Sequence, residues 1–331
     1  MRSKGFFSLV TFLWVLTTVV APEPLRLLTD LDVQGHRGAR GLKPENTLPA
    51  FETALDLQVT TLELDLHFTL DAVVVVWHDD RIGSDKCGLD PTAPDGVPDP
   101  DSLISQVPRL SISALTWEQL QAYRCDRNPE PLRFPDQNNA ATQLAGDDFH
   151  IPNLEEVFAF VETYAQSAEK NEAQRAAAAG IRFNVETKRK PNDAGAIGDD
   201  FNGEKVGAFE LAILDLIARY GLQDRIVIQS FEHRSLWAVH AENNHIRLAA
   251  LTTRIQPDLA NLAARGALIW SPDARDLTPT LLQAAHGLGM QVIPWTVNEV
   301  GAMRRLIAMG VDGIITDRPD VLLALAEDGK G

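Results

Sequence analysis

Short apolar runs alternate along the chain with segments whose apolar residues recur every three or four positions. The runs predict eight strands, at residues 33–36, 61–66, 181–186, 226–229, 247–251, 267–271, 291–296 and 312–315. Helices are predicted after the strands, for example at 47–57 and 209–220. Eight strand–helix units fit a closed (β/α)8 TIM barrel, an α/β fold. An open doubly wound sheet is the alternative, but no glycine-rich nucleotide loop follows the first strand.

Residues 73–77 read as an additional strand that follows the second barrel strand almost at once. A connection this short cannot make a parallel crossover, so we expect a hairpin that turns near residues 70–72. The turn brings residue 78 back opposite roughly residue 64. His78 is therefore expected beside Glu63 and Asp65.

The stretch at about 79–153 is rich in Pro, Gly and Asp and too long for an ordinary connection. It predicts a small subdomain, inserted after the second barrel strand and lying over the barrel mouth, with little core of its own and a helix at 116–123. It also holds Cys87 and Cys125, the two cysteines of the chain. An even count in an exported chain favours a disulfide, with two free or buried thiols as the alternative.

The N-terminal residues 1–21 are predicted to be a targeting segment. Arg2 and Lys4 precede an apolar stretch at 6–21 that is short for a membrane span. Pro22 would follow a cut after Ala21, where proline is disfavoured, so an uncleaved anchor is the alternative to a cleaved signal peptide. The prediction is export, periplasmic or extracellular, with the barrel domain at 30–328.

The net charge of the chain limits the classes of partner that it is expected to bind. With 30 basic and 46 acidic residues the formal net charge is −16, which argues against nucleic acid or an anionic membrane surface as a partner. Membrane contact is expected only through the N-terminal segment, if that segment stays uncleaved. An acidic protein that handles a phosphodiester would need a metal ion or local cations to offset repulsion.

Carboxylates are placed where the predicted strands end. Glu63 and Asp65 are two apart, so they point to the same face of a strand, and Glu186 ends another strand. Carboxylates crowded at a barrel mouth favour a hard divalent cation with oxygen ligands. The alternative is a buried ion cluster in which Glu63 and Asp65 pair with Arg37 and Lys188.

Histidines and cations complete the candidate chemistry. His36 and His78 are the predicted proton carriers, because imidazole titrates near neutral pH. Arg37 and Lys188 could hold phosphate oxygens. Structural roles are expected for the other histidines, although His67 lies close to the site.

Several short motifs follow one another along the chain. They are Gly35-His36-Arg37-Gly38, Pro44-Glu45-Asn46-Thr47 with Ala50-Phe51, Glu63/Asp65, His78-Asp79, Gln229-Ser230-Phe231, Trp295-Thr296-Val297-Asn298 and Asp312-Gly313-Ile314-Ile315-Thr316-Asp317-Arg318-Pro319. In combination they resemble the glycerophosphodiester phosphodiesterase family over about residues 33–325. One departure is Asp71-Ala72 at the hairpin turn, where the family usually has Asp-Gly. Ala72 would be strained there if the turn needs a positive φ.

The resemblance implies a role for each matched residue. His36 and His78 would act as acid and base, and Glu63, Asp65 and Glu186 would bind one Ca²⁺ or Mg²⁺. Arg37 and Lys188 would contact phosphate, and the remaining candidates for substrate binding are Glu45, Asn46, Phe231 and Trp295. Trp295 could stack under a glycerol moiety or only pack the barrel mouth.

The residue chemistry predicts a metal-assisted phosphodiester hydrolase, and the resemblance implies that it hydrolyses small glycerophosphodiesters to sn-glycerol 3-phosphate and an alcohol. One alternative is a lipid-directed lysophospholipase D or phospholipase C-like enzyme, which a groove near Phe231 and Trp295 would favour. The other is a non-catalytic exported binding protein. Loss of a site histidine or carboxylate would mark that protein, and all of them are present.

Overall fold

The computed structural model describes residues 31–102, 109–199 and 201–328. Within them the strands are β1 Asp32–Gly35, β2 Thr61–Phe68, β3 Val74–Val76, β4 Gly88–Leu89, β5 Tyr123–Arg124, β6 Arg182–Thr187, β7 Ile226–Ser230, β8 Arg247–Thr252, β9 Ala267–Pro272, β10 Gln291–Val292 and β11 Gly313–Thr316. The helices are α1 Leu48–Asp56, α2 Trp117–Leu120, α3 Leu154–Gln166, α4 Glu172–Gly180, α5 Ala208–Arg219, α6 His233–Glu242, α7 Leu259–Ala264, α8 Pro279–Gly287, α9 Val300–Met309 and α10 Pro319–Asp328. Two short 3-10 turns lie at Ile112–Ala114 and Ala194–Ile197. The predicted targeting segment, residues 1–21, lies outside the described residues.

Eight parallel strands form the barrel in the order β10-β9-β8-β7-β6-β2-β1-β11. The seam between β10 and β11 is closed by backbone hydrogen bonds, from Asp312 N–H to Val292 O at 2.9 Å and from Ile315 N–H to Pro294 O at 3.1 Å. The fold is therefore the predicted (β/α)8 barrel and not an open sheet. The predicted strand at 291–296 is shorter than expected, because Pro294 has no N–H to donate to a ladder.

Alternate residues of the strands enter two different cores. In β2, Leu62, Leu64 and Leu66 are buried among the helices that surround the barrel. The side chains between them point into the barrel, as the two-residue repeat of a strand requires. A small apolar cluster fills the barrel interior, made by Val227, Ala249, Ile269, Ile293 and Ile315. The polar residues of the site lie with it inside the barrel.

The hairpin is as predicted. β3 runs antiparallel to β2 with Val76 opposite Leu66, and Trp77 N–H donates to Asp65 O at 2.9 Å. Ala72 in the turn has φ of 63°. This is the left-handed region that glycine adopts freely and alanine does not, so the departure at this position does carry backbone strain.

The insertion between β3 and α3 has a hydrophobic core of its own. Its buried side chains are Val75, Trp77, Ile82, Cys87, Leu110, Ile112, Leu115, Leu120, Tyr123, Cys125 and Ile151. Cys87 and Cys125 are joined by a disulfide in this core. The expectation of a lid with little core was therefore wrong. The helix expected at 116–123 is also shorter, because Tyr123–Arg124 pairs with Gly88–Leu89 as a strand beside the disulfide.

The far end of the insertion is fastened to the barrel through α1. The Glu52 carboxylate accepts hydrogen bonds from the backbone N–H groups of Leu144 and Ala145 and pairs with Lys170 at 2.6 Å.

Among the residues that the structure describes, no helix is long and apolar enough to cross a membrane.

Candidate active site

The predicted site residues from several different strands meet at the C-terminal mouth of the barrel. A cavity of about 220 Å³ opens there, and its lining residues are His36, Arg37, Arg40, Glu63, His78, Arg133, Glu186, Lys188, Gln229, Phe231, Leu251, Trp295, Thr296 and Ile315. His36 follows β1 directly, Glu63 and Asp65 lie in β2, and Glu186 in β6 is paired in register with Asp65. Strand register therefore brings the candidate carboxylates together.

Glu63, Asp65 and Glu186 form a buried cluster in which one ligand oxygen from each lies within 4.8 Å of the others. Burial, followed by the charges of Asp65 and Glu186, raises the pKa of Glu63 well above its ordinary value. Burial also raises the pKa of Glu186, against the charge of Lys188. Burial disfavours ionised Asp65 too, but Lys188 and Arg37 outweigh it and hold the pKa of Asp65 well below the ordinary range.

The alternative to a metal site was an ion cluster in which Arg37 and Lys188 pair with the carboxylates. These two cations neutralise only part of the negative charge of Glu63, Asp65 and Glu186. Asp65 lies 3.1 Å from Arg37 Nε and 3.4 Å from Lys188 Nζ, and Lys188 also lies 2.8 Å from Glu186. Within the described part of the chain Glu63 pairs with no lysine or arginine side chain, and it accepts hydrogen bonds from Gln229 Nε2 at 2.8 Å and from Arg37 N–H at 3.0 Å. Among the described residues Asp65 Oδ1 is buried without a hydrogen bond, and it has only the 3.4 Å ion pair with Lys188. The three residues thus fit a divalent cation with oxygen ligands.

Each candidate proton carrier is held by an aspartate. His36 Nδ1 lies 2.5 Å from Asp317 Oδ1, and His78 Nδ1 lies 2.6 Å from Asp79 Oδ1. An Nδ1–H donated to a carboxylate leaves Nε2 as the basic nitrogen, the arrangement used in acid–base catalysis. Burial lowers the pKa of both imidazoles, and Asp317 and Asp79 oppose that change by favouring the protonated form.

His67 has the structural role expected of it. Its Nε2 lies 3.2 Å from the carbonyl oxygen of His78, and it is 3 % exposed. Burial lowers the pKa of His67 to about 4, so the neutral ring donates an N–H to that carbonyl. This bond helps to hold the backbone of His78 in place.

Glu45 and Asn46 lie behind the cavity and not on its surface, which revises the expectation that they line the site. Glu45 gathers three cations, with Arg37 Nη1 at 3.0 Å, Arg40 Nε at 2.7 Å and Lys86 Nζ at 2.8 Å. Its pKa is held far below the ordinary range because Arg37 and Lys86 outweigh the effect of burial. Asn46 is fully buried and donates from Nδ2 to Asp65 Oδ2 at 2.9 Å. Both residues position other side chains.

Two aromatic side chains form an apolar wall of the cavity. Phe231 and Trp295 meet edge to face with ring centroids 5.5 Å apart. The indole Nε1–H of Trp295 donates to Ser271 O at 3.0 Å, so its polar atom is already occupied. What this wall offers a ligand is therefore apolar surface.

The sequence profile of the glycerophosphoryl diester phosphodiesterase family matches residues 36–321. The chain belongs to this family. The resemblance seen in the motifs is thereby confirmed, and the protein is a phosphoric diester hydrolase.

Among curated relatives, a glycerophosphodiester phosphodiesterase from Bacillus altitudinis is 28 % identical over 89 % of this chain and 98 % of its own length. A lysophospholipase D from Mus musculus is 26 % identical over 87 % of this chain and 83 % of its own. Both align with most of the barrel and the insertion together.

Solved structures of the family share the fold. A candidate glycerophosphoryl diester phosphodiesterase from Silicibacter pomeroyi superposes with a TM-score of 0.71 at 27 % identity, covering 90 % of this chain and 94 % of that one. An Oleispira antarctica phosphodiesterase, solved with the product sn-glycerol-3-phosphate, superposes with a TM-score of 0.62 at 18 % identity, covering 90 % and 96 %.

Sequence reasoning assigned no role to several residues that this phosphodiesterase site uses. Asp317 and Gln229 lie in quoted family motifs at strand ends, and that position was the available signal. Lys86 and Arg133 come from the insertion, whose sequence carries no periodic pattern that could have placed them. Lys86 links Glu45 to Asp79, and Arg133 reaches the cavity.

Proposed function

We propose that the protein hydrolyses glycerophosphodiesters to sn-glycerol 3-phosphate and an alcohol, using one divalent cation and the His36/His78 pair. One observation carries the proposal: a buried three-carboxylate cluster, of which Glu63 and Glu186 line the cavity together with two aspartate-bound imidazoles. The relatives named glycerophosphodiester phosphodiesterase support the substrate class. The product bound to the Oleispira antarctica protein is consistent with it.

Glu63, Asp65 and Glu186 would hold the cation, either Ca²⁺ or Mg²⁺. When bound, it supplies positive charge that stabilises the phosphate as negative charge builds up in the transition state. Arg37 and Lys188 line the same cavity and favour the anionic diester there. Gln229 and Asn46 hold the carboxylates through their amide N–H groups, at 2.8 and 2.9 Å.

The two histidines move the protons. One Nε2 accepts the proton of the attacking oxygen, which is either water or the glycerol 2-hydroxyl, and the other imidazolium donates a proton to the departing alkoxide. Asp317 and Asp79 accept the Nδ1–H bonds and stabilise each ring when it is charged. A transient cyclic phosphate, detected by phosphorus NMR of a single turnover, would identify the 2-hydroxyl route.

The test measures glycerol 3-phosphate release from sn-glycero-3-phosphoethanolamine with added Ca²⁺ or Mg²⁺. We expect EDTA to abolish release and His36→Ala to lower it by about 10²- to 10⁴-fold. His150→Ala is the matched control, because His150 also binds an aspartate, Asp148 at 3.0 Å, but lies in the insertion outside the cavity lining. Full activity in EDTA would refute metal dependence, and an unimpaired His36→Ala would refute the histidine assignment.

Metal binding has a second readout that does not depend on turnover. Calcium or magnesium should raise the unfolding temperature of the native protein, because a ligand that binds only the folded state stabilises it. Glu63→Gln should lose that response. An equal rise in native protein and variant would exclude Glu63 as a ligand.

A lysolipid is the second candidate substrate, favoured by the apolar wall of Phe231 and Trp295 and by relatives named lysophospholipase D. Cleavage of lysophosphatidylcholine in preference to the water-soluble diester would establish it.

Export is part of the proposal as well, supported by the apolar stretch at 6–21 and by a disulfide, which persists in oxidising compartments. N-terminal sequencing of the mature protein checks it.

A further inference from the structure

The insertion reaches the catalytic cavity through one side chain. Of the described residues that line the cavity, Arg133 is the one that comes from the stretch at 79–153. The others belong to barrel strands or to the segments that follow them. A residue supplied by the insertion can alter the substrate range without altering the machinery beneath it.

The backbone around Arg133 is held rigidly. Glu130 N–H donates to Asn128 Oδ1 at 3.0 Å, and Asn128 Nδ2 donates to Phe134 O at 2.8 Å. The N–H groups of Arg133 and Phe134 both donate to Glu130 O at 2.9 Å. The side chain therefore starts from a fixed turn.

The guanidinium group is positioned as well. Its carbon lies 4.8 Å from the centroid of the Phe134 ring, and the guanidinium of Arg40 lies at the same distance from that ring. Phe134 is 2 % exposed and so gives both arginines a buried surface to stack on. Gln137, three residues on, donates to Arg40 O at 2.6 Å and ties this turn to the barrel.

Arg133 can offer its N–H groups to a ligand more readily than Lys188 and Arg37, which lie deeper in the cavity. Lys188 and Arg37 have side chains 14 % and 8 % exposed and lie 2.8 and 3.0 Å from their nearest carboxylates. The side chain of Arg133 is 47 % exposed, and its pairs are longer, 3.3 Å to Glu130 and 3.5 Å to Asp317. The pair with Glu130 is exposed on both sides, and such a pair contributes little stability and can give way to a ligand.

The two sides of the cavity mouth differ in character. Arg133 and Arg40 share the Phe134 ring and form a cationic side, whereas Phe231 and Trp295 contact each other and form, with Leu251, an uncharged side. A phosphodiester carries one substituent on each side of its phosphate. The glycerol moiety fits the aromatic side through its C–H surface, which leaves the alcohol moiety facing Arg133.

We propose that Arg133 determines specificity by binding a carboxylate carried on the alcohol moiety of the diester. A guanidinium matches a carboxylate in planar, two-pronged geometry and repels the cationic group of an aminoalcohol that lacks one. This inference rests on the proposed function. It goes further by selecting one class of diester among those that the catalytic groups could cleave.

The test uses sn-glycero-3-phosphoserine and sn-glycero-3-phosphoethanolamine, which differ by one carboxylate. We expect the native enzyme to prefer the serine diester by about tenfold in kcat/KM, the size of one charge-assisted hydrogen bond. Arg133→Met should bring the ratio close to one, because it removes both the partner of the serine carboxylate and the repulsion of the ethanolamine ammonium group. Arg133→Lys should keep part of the preference, and Arg133→Glu should reverse it.

Arg124→Met is the matched control. Arg124 is also an insertion arginine stacked on a phenylalanine, 5.3 Å from the Phe149 ring, and it pairs with Asp126 at 2.9 Å outside the cavity lining. It should leave the ratio unchanged. Unfolding temperatures of all variants identify any general loss of structure, which would lower both rates and not their ratio.

The outcomes separate the two proposals. Release from both diesters with a ratio near one in the native enzyme, or a ratio that survives Arg133→Met and Arg133→Glu, overturns this inference and leaves the proposed function standing. Release from neither diester, with metal present, overturns the proposed function and this inference with it.

Discussion

Asp317→Asn removes the negative charge next to His36 while nearly preserving the shape of the side chain. The carboxylate of Asp317 is fully buried and accepts from His36 Nδ1 at 2.5 Å and from Asn298 Nδ2 at 2.7 Å. Its pKa is about 2, against 3.8 for an ordinary aspartate, because His36 and Arg40 outweigh the effect of burial. Asp317 is therefore ionised throughout the neutral range.

The size of the effect follows from this pKa. The difference between 3.8 and about 2 corresponds to about 2 kcal/mol at about 1.4 kcal/mol per pKa unit. Because the group is buried, solvent screening does not reduce this figure much. His36 is the largest of the causes that lower this pKa, ahead of Arg40. With His36 protonated in the transition state, loss of its interaction with Asp317 therefore slows kcat by roughly thirtyfold. Without the carboxylate the imidazole proton can also move from Nδ1 to Nε2, which removes the basic nitrogen and slows the reaction further.

The assay compares kcat and KM of native protein and Asp317→Asn at saturating metal. We expect kcat to fall at least thirtyfold and KM to change by less than about threefold, since Asp317 does not line the cavity. Asp199→Asn is the control, because Asp199 is a buried aspartate that pairs with Arg189 at 2.8 Å away from the cavity. A variant at position 317 with native kcat would refute the role of the aspartate–histidine pair.

Three further predictions concern stability, each measured by denaturant unfolding. Replacing Cys87 and Cys125 by serine should cost about 4 kcal/mol, because the disulfide closes a loop of 38 residues; an unchanged stability would contradict the entropic argument. Ala72→Gly should stabilise the protein by roughly 0.5–1 kcal/mol, because φ is 63° there, and a net loss would show that the strain is negligible. Burial opposes ionisation of Glu52, but hydrogen bonds from Ala145 and Lys170 lower its pKa below 4.5. Its contribution is therefore complete above pH about 4.5 and lost as the pH falls further; Glu52→Gln should flatten that acid limb, and an equally steep limb in the variant would refute the assignment.

Local patterns were sufficient for the barrel and for part of the site. The two-residue repeat of a strand placed Glu63 and Asp65 on one face, and counting residues around the hairpin returned His78 to their side. Both inferences use only the fixed geometry of an extended chain. The strained turn at Ala72 was also visible in the sequence, because residue type and turn type are linked.

Residues that act through distant partners could not be assigned in this way. Glu45 and Asn46 stood within the motifs, yet whether they face the ligand or the residues behind it depends on where Arg40, Lys86 and Asp65 end up. The insertion was recognised by its length, but its core was not. Val75 and Trp77 of this core lie in the predicted strand at 73–77, but most of its other side chains follow no strand or helix period, so the sequence does not distinguish them from loop residues.

The sequence by itself therefore determined the barrel and the nearness of Glu63, Asp65 and His78, because strand and helix periods follow from backbone geometry over a few residues. The family followed from the order of its short motifs. Only the tertiary structure decided that Asp317, 281 residues from His36, holds its imidazole. It also decided that Arg133 of the insertion reaches the cavity beside Arg40. Such contacts depend on how the barrel closes and how the insertion packs on it, which involves the whole chain at once.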